Sequence, residues 1–143
     1  MIETNEEIMV TGHDIHEYLG INAKQDSTGV YVGYQEINGT SAPTKVGRSK
    51  NAHALQRLRA QGGASWWFVA YFLLPTNADT YTVEKEWKRQ MKSQNLEKTQ
   101  QRQTELYYLS PEDAADEMEG ILRSMGYEVR DLVDEILENQ LHG

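Results

Sequence analysis

Cysteine is absent from the 143 residues, which excludes disulfide staples and thiolate-held zinc and leaves the redox compartment unmarked. Long hydrophobic runs are absent too. The longest apolar stretch, from Trp66 to Pro75, falls well short of the roughly 20 residues that a membrane-spanning helix needs. The opening MIETNEEIMV is acidic and lacks a basic segment followed by an apolar one, so no signal peptide is expected. No internal repeat, low-complexity tract, zinc-ligand spacing or helix-turn-helix pattern stands out. What is left is a chain of a length that suits one domain with a core of its own, and an intracellular protein with no membrane partner is the expectation.

Charge is abundant, and its distribution says more than its sum. The net charge is −8, which by itself argues against a nucleic-acid partner. Residues 1–44 carry one Lys against seven acids, and residues 103–143 carry two Arg against eleven acids. Between them, residues 45–102 carry eleven Lys or Arg against four acids. Clustered positive charge of this kind suits phosphate binding, because affinity grows with the number of phosphates neutralised. A solvated helix face accounts about equally well for residues 85–102.

In chain order, Ile15, Tyr18 and Leu19 suggest a short helix ending at Gly20, within an N-terminal arm over 1–27. His13 and His16 share its surface, and a surface or capping role explains them better than a metal, since no third ligand is near. Thr28–Tyr34 alternates as a strand, with Val30 and Val32 on one face and Tyr31 and Gly33 on the other. After Gly47, Leu55 and Leu58 give the buried pair of a helix that carries Arg57 and Arg59 and stops at Gly62-Gly63. Ser65–Leu74 is continuously apolar and reads as a central strand covered on both faces. Its aromatic residues belong to a core rather than to a base-stacking surface. Thr76, Asn77 and Asp79 offer caps for a helix whose buried stripe is Val83, Trp87 and Met91. Glu84 lies beside that stripe, and Glu86 points further away. Leu106–Leu109 makes a short strand, and Ser110-Pro111-Glu112-Asp113 is a strong helix start. A last acidic helix over 125–143 has Val129, Leu132, Val133, Ile136 and Leu137 at helical spacing, a stripe suited to packing on the domain or on a partner.

Gly29–Arg59 holds the most informative pattern. It begins GVY (Gly29, Val30, Tyr31), turns through Asn38-Gly39 and Pro43, and resumes as KVG (Lys45, Val46, Gly47) before the helix of Arg57. This order resembles the start of the GIY-YIG nuclease superfamily, in its short phage and mobile-element branch, with lysine replacing the second tyrosine. Glu84 in VEKEWK falls where that family has its metal-binding glutamate, with Glu86 as the fallback. TELYYL (Thr104–Leu109) is similar to the family's closing strand. The resemblance covers roughly Gly29 to Leu122.

The resemblance implies an α+β fold, with a small, mainly antiparallel three-stranded central sheet flanked by helices and a nuclease-like domain over 28–124. It implies metal-dependent DNA endonuclease activity, with Mg²⁺ or Mn²⁺ on Glu84. Catalytic roles fall to Tyr31, Lys45, Arg57 and Glu84. DNA contacts fall to Arg48, Lys50, Arg59 and Lys88, and Gly29 and Gly47 are motif glycines. The chemistry is coherent: a hard cation accepts one carboxylate plus phosphate oxygens, and an arginine fork fits phosphate. A phenol beside Lys45 would serve as base. Where a histidine base sometimes follows the arginine, this chain has Gln61. The structural alternative for Glu84 is a surface ion pair with Lys88, four residues on. The functional alternative is a GIY-YIG-like module that no longer cuts and binds DNA or a protein. A homodimer or a companion protein would use the C-terminal helices. The expected setting is the cytoplasm of a phage-infected or mobile-element-bearing host.

Overall fold

Within Gly29–Ile37 (β1), Val30, Tyr31 and Val32 are buried on alternating faces, and this strand is the middle of the sheet. The computed structural model describes residues 9–20, 28–37, 40–41, 44–50, 66–94 and 106–142. On one side β1 pairs with Thr44–Ser49 (β3) in the register Val30↔Arg48, Tyr31↔Gly47 and Gly33↔Lys45. On the other it pairs with Trp66–Leu73 (β4), with Tyr31 opposite Tyr71. Leu106–Tyr107 (β5) adds to the outer side of β3, and Thr40–Ser41 (β2) continues the hairpin at the far end of β1. All pairings are antiparallel. The α+β class holds, and the sheet exceeds the expected three strands because both short segments pair.

The apolar run of β4 suggests a central strand, but among the described strands it pairs with β1 alone. Its outer edge is closed by two single-residue bridges, Val10↔Phe68 and Phe72↔Asp131. The Phe68 N–H donates to the Val10 carbonyl at 2.7 Å and the Leu73 N–H to the Arg130 carbonyl at 3.0 Å. An apolar strand covered on both faces need not be central if its edge is blunted in this way.

Pairing between β1 and β4 shifts from Val32↔Ala70 to Gly33↔Phe68, so Val69 is an extra residue, a β-bulge. The bulge reverses which face each β4 side chain serves. Ala70 and Phe72 join Val30, Val32 and Val46 in one core cluster, whereas Trp66 and Phe68 join Tyr31 and Tyr71 in another. The first cluster is covered by Asn77–Gln90 (α2) and Pro111–Ser124 (α3), through Val83, Trp87, Met118 and Leu122. The second is covered by Gly12–Leu19 (α1) and Leu132–His142 (α4), through Ile15, Leu132, Val133 and Ile136. The C-terminal helix therefore packs on this domain's own sheet.

Helix starts follow from local chemistry. Thr11, Thr76 and Ser110 each accept a backbone N–H three residues on, and Pro111 occupies the first helical turn. Gly29 has a packing reason: a Cβ there would lie 2.4 Å from the Phe72 carbonyl and 2.7 Å from the Tyr71 ring. Among the described residues, no helix is long and apolar enough to cross a membrane.

Candidate functional site

Cross-strand register decides which candidate side chains can meet. Residues directly opposite each other on neighbouring strands project to the same face. Arg48, opposite Val30, therefore projects toward α2, and Lys45, opposite Gly33, projects toward the face that carries Tyr31.

On the α2 face, Glu84 is 8 % exposed. Arg48 Nε stands 3.5 Å and Lys88 Nζ 3.8 Å from Glu84 Oε1. The same arginine reaches the N-terminal turn of α2, where its Nη1 donates to Asn77 Oδ1 at 3.4 Å. Its guanidinium also lies 5.1 Å from the ring centroid of Tyr81. Spacing explains the choice of carboxylate: Glu84 follows Val83 and precedes Trp87 by three, so it shares the flank of the buried stripe. Glu86 turns outward and is chelated by Arg89 and Gln90, which hold its carboxyl far below the usual range, Arg89 contributing most.

On the opposite face, Tyr31 is 5 % exposed and meets Phe68 edge-on at 5.5 Å. Lys45 is half-buried, with its ammonium 5.4 Å from the Trp66 ring centroid. Tyr31 and Lys45 thus sit together, and so do Arg48, Glu84 and Lys88, but the sheet stands between the two groups. The phenol expected beside the metal-binding carboxylate is instead part of the aromatic core over α1 and α4. A period-two strand forces this separation once Val30 is committed to α2. Gly47 is opposite Tyr31 and buried, while Lys50 is exposed just beyond β3. β3 runs past Gly47 to Ser49 instead of breaking there, and Arg57, Arg59 and Gln61, with the helix expected around them, lie outside the described residues.

The fit to a divalent cation rests on donor chemistry. Among the described residues no group of three His, Asp or Glu gathers as a metal site. Glu84 could hold a hard cation jointly with phosphate oxygens, provided Arg48 and Lys88 turn from the carboxylate to the phosphate. His13 is accounted for otherwise, paired along the α1 surface with Glu17 at 3.0 Å.

Two features escaped the sequence. Arg48 is the link between β3 and α2, a role visible only once the strand register is known. Asp131 sews α4 to β4, accepting the Tyr71 N–H at 2.9 Å and the Val133 N–H at 3.0 Å. Burial pushes its carboxyl up to about 7, nearby Asp134 adding to the shift against those hydrogen bonds.

Comparison of the chain with protein-family models, curated proteins and solved structures finds no match.

Proposed function

We propose that this chain is a GIY-YIG-like module that binds DNA by its phosphates, on the flank where β3 meets α2. The observation that carries this is the Arg48–Glu84–Lys88 cluster: two cations converge on one largely buried carboxylate. Lys50, just beyond β3, and Lys85, on α2, are exposed on the same two elements. Arginine matches phosphate oxygens in a planar fork, and the lysines add point charge. Glu84 keeps the cations in place when DNA is absent. The acidic surface of α3 and α4 confines DNA to this flank.

Metal-dependent cleavage at the same flank is the second reading, and the position of Glu84 favours it. One buried carboxylate between two phosphate-competent cations is a donor set that Mg²⁺ or Mn²⁺ accepts when the substrate completes its shell. In that reading Glu84 would hold the cation, which would supply a more acidic bound water, while Arg48 and Lys88 orient and neutralise the phosphate. Tyr31 does not serve as the base, because it lies across the sheet.

Duplex binding measured by fluorescence anisotropy across a salt series tests the first reading. Arg48→Ala with Lys88→Ala should flatten the logarithmic salt slope by about two, one for each phosphate contact removed. Glu84→Gln, which releases both cations, should raise affinity several-fold. Absence of salt-dependent binding to duplex and to single-stranded DNA alike would end the proposal. Nicking of supercoiled plasmid in Mg²⁺ or Mn²⁺ that disappears in Glu84→Gln would establish cleavage, whereas uncut plasmid would leave a binding module.

A further inference from the structure

Tyr81 stands three residues before Glu84 on α2 and is 59 % exposed. Isolated surface tyrosines are common and need no explanation. This one is held in a particular place. The Arg48 guanidinium lies 5.1 Å from its ring centroid, and that same guanidinium is anchored 3.5 Å from Glu84 and 3.4 Å from Asn77. The ring is therefore orientated by a cation that is itself fixed on two sides. With Arg48 close to the ring, most of the aromatic surface still faces water. One helical turn further on is Lys85, exposed, and two turns on is Lys88, beside the carboxylate.

An aromatic plane beside positive charge has a specific complement: a flat base attached to a phosphate. Stacking requires the base to be free of its neighbours, since in a regular duplex both faces of each base pair are already covered. Exposed aromatic side chains interleaved with cations are how proteins hold single strands without reading their sequence. The charges around the ring are complementary to such a strand. Glu84 is balanced by Arg48 and Lys88, and Glu86 is engaged by Arg89.

We propose that Tyr81 is a stacking platform for an unpaired DNA base, with Arg48 and Lys88 taking the phosphates on either side. DNA carrying a single-stranded stretch is then the ligand class, in preference to uniform duplex. The proposal rests on the DNA-binding reading above and names the substrate of that same flank.

The test compares three labelled ligands by anisotropy, in EDTA and at one salt concentration: an oligothymidylate, an abasic strand of the same length, and a duplex. The native protein should bind the oligothymidylate several-fold more tightly than either other ligand. Tyr81→Ala should weaken oligothymidylate binding roughly five- to tenfold, in keeping with the loss of one stacked base, and should change abasic binding by less than about twofold. Tyr81→Phe, which keeps the ring, should behave as the native protein. Equal binding of base-bearing and abasic strands, or equal weakening of both by Tyr81→Ala, would overturn the stacking role while leaving phosphate binding in place. Failure of all three ligands to bind would overturn the DNA-binding reading and this inference with it.

Discussion

The two faces of the sheet are built from the same strands and do different work. The face under α2 and α3 is lined mostly by branched and aliphatic side chains, with Phe72, Trp87 and Tyr107 among them, and its flank carries Arg48, Glu84 and Lys88. The face under α1 and α4 is aromatic, with Tyr31, Trp66, Phe68 and Tyr71 together. The difference teaches how a linear motif should be interpreted. GVY places its valine on one face and its tyrosine on the other, so its chemistry is divided by the pleat. Here the tyrosine supports the aromatic core and the charged cluster of Arg48, Glu84 and Lys88 lies on the other side.

The comparison breaks most severely at Trp87. This indole is fully buried in the cluster below α2, edge-on to Tyr107 at 5.4 Å. Trp87→Ala should lower the unfolding free energy by about 3–5 kcal/mol, read from urea denaturation. It should also loosen α2 and weaken the proposed DNA binding by displacing Lys88, which α2 carries.

The opposite face is sensitive to pH at Asp131. Its carboxyl is raised by burial to about 7 in the folded chain, against an ordinary value of 3.8 when unfolded. Between those values the folded state holds a proton that the unfolded state has released. Stability should therefore fall as pH rises from about 4 to 7 and level off above. Asp131→Asn keeps the acceptor oxygen and removes the titration, so its melting temperature should vary less across that window. A mutant profile as steep as the native one would show that the dependence arises elsewhere.

The smallest expected effect is at Tyr31. Tyr31→Phe keeps the ring against Phe68, so DNA affinity and stability should change little, within about 0.5–1 kcal/mol for a single lost hydroxyl contact. A selective loss of metal-dependent cleavage in that variant, with DNA binding retained, would restore the phenol to the chemistry and sharpen the division between the faces.

Much of the framework was legible from local rules. Thr76 and Ser110-Pro111 announce their helices because caps are settled by neighbours in sequence. Val83 and Trp87 identify the inner stripe of α2, and with it the choice of Glu84 over Glu86. The alternation of β1 separated Val30 from Tyr31. What could not be read was which face would receive α2, since that depends on how the chain crosses the sheet. The place of β4 was equally hidden, because an apolar run looks the same in the middle of a sheet as at a blunted border. The resemblance names Arg48 only as one DNA contact among several. Its fixed position between Glu84, Asn77 and Tyr81 follows from strand register, a long-range property.

The single-residue bridges at Phe68 and Phe72 have a consequence for assembly. A strand from a second molecule seeking to extend the sheet at that border would find the hydrogen-bonding groups of β4 already engaged by Val10 and by the Arg130-Asp131 segment. Self-association by strand addition, the common route to fibres and edge-to-edge dimers, is obstructed there. A second copy approaching from that side would have to dock through side chains, as a surface contact that can dissociate without unfolding either molecule.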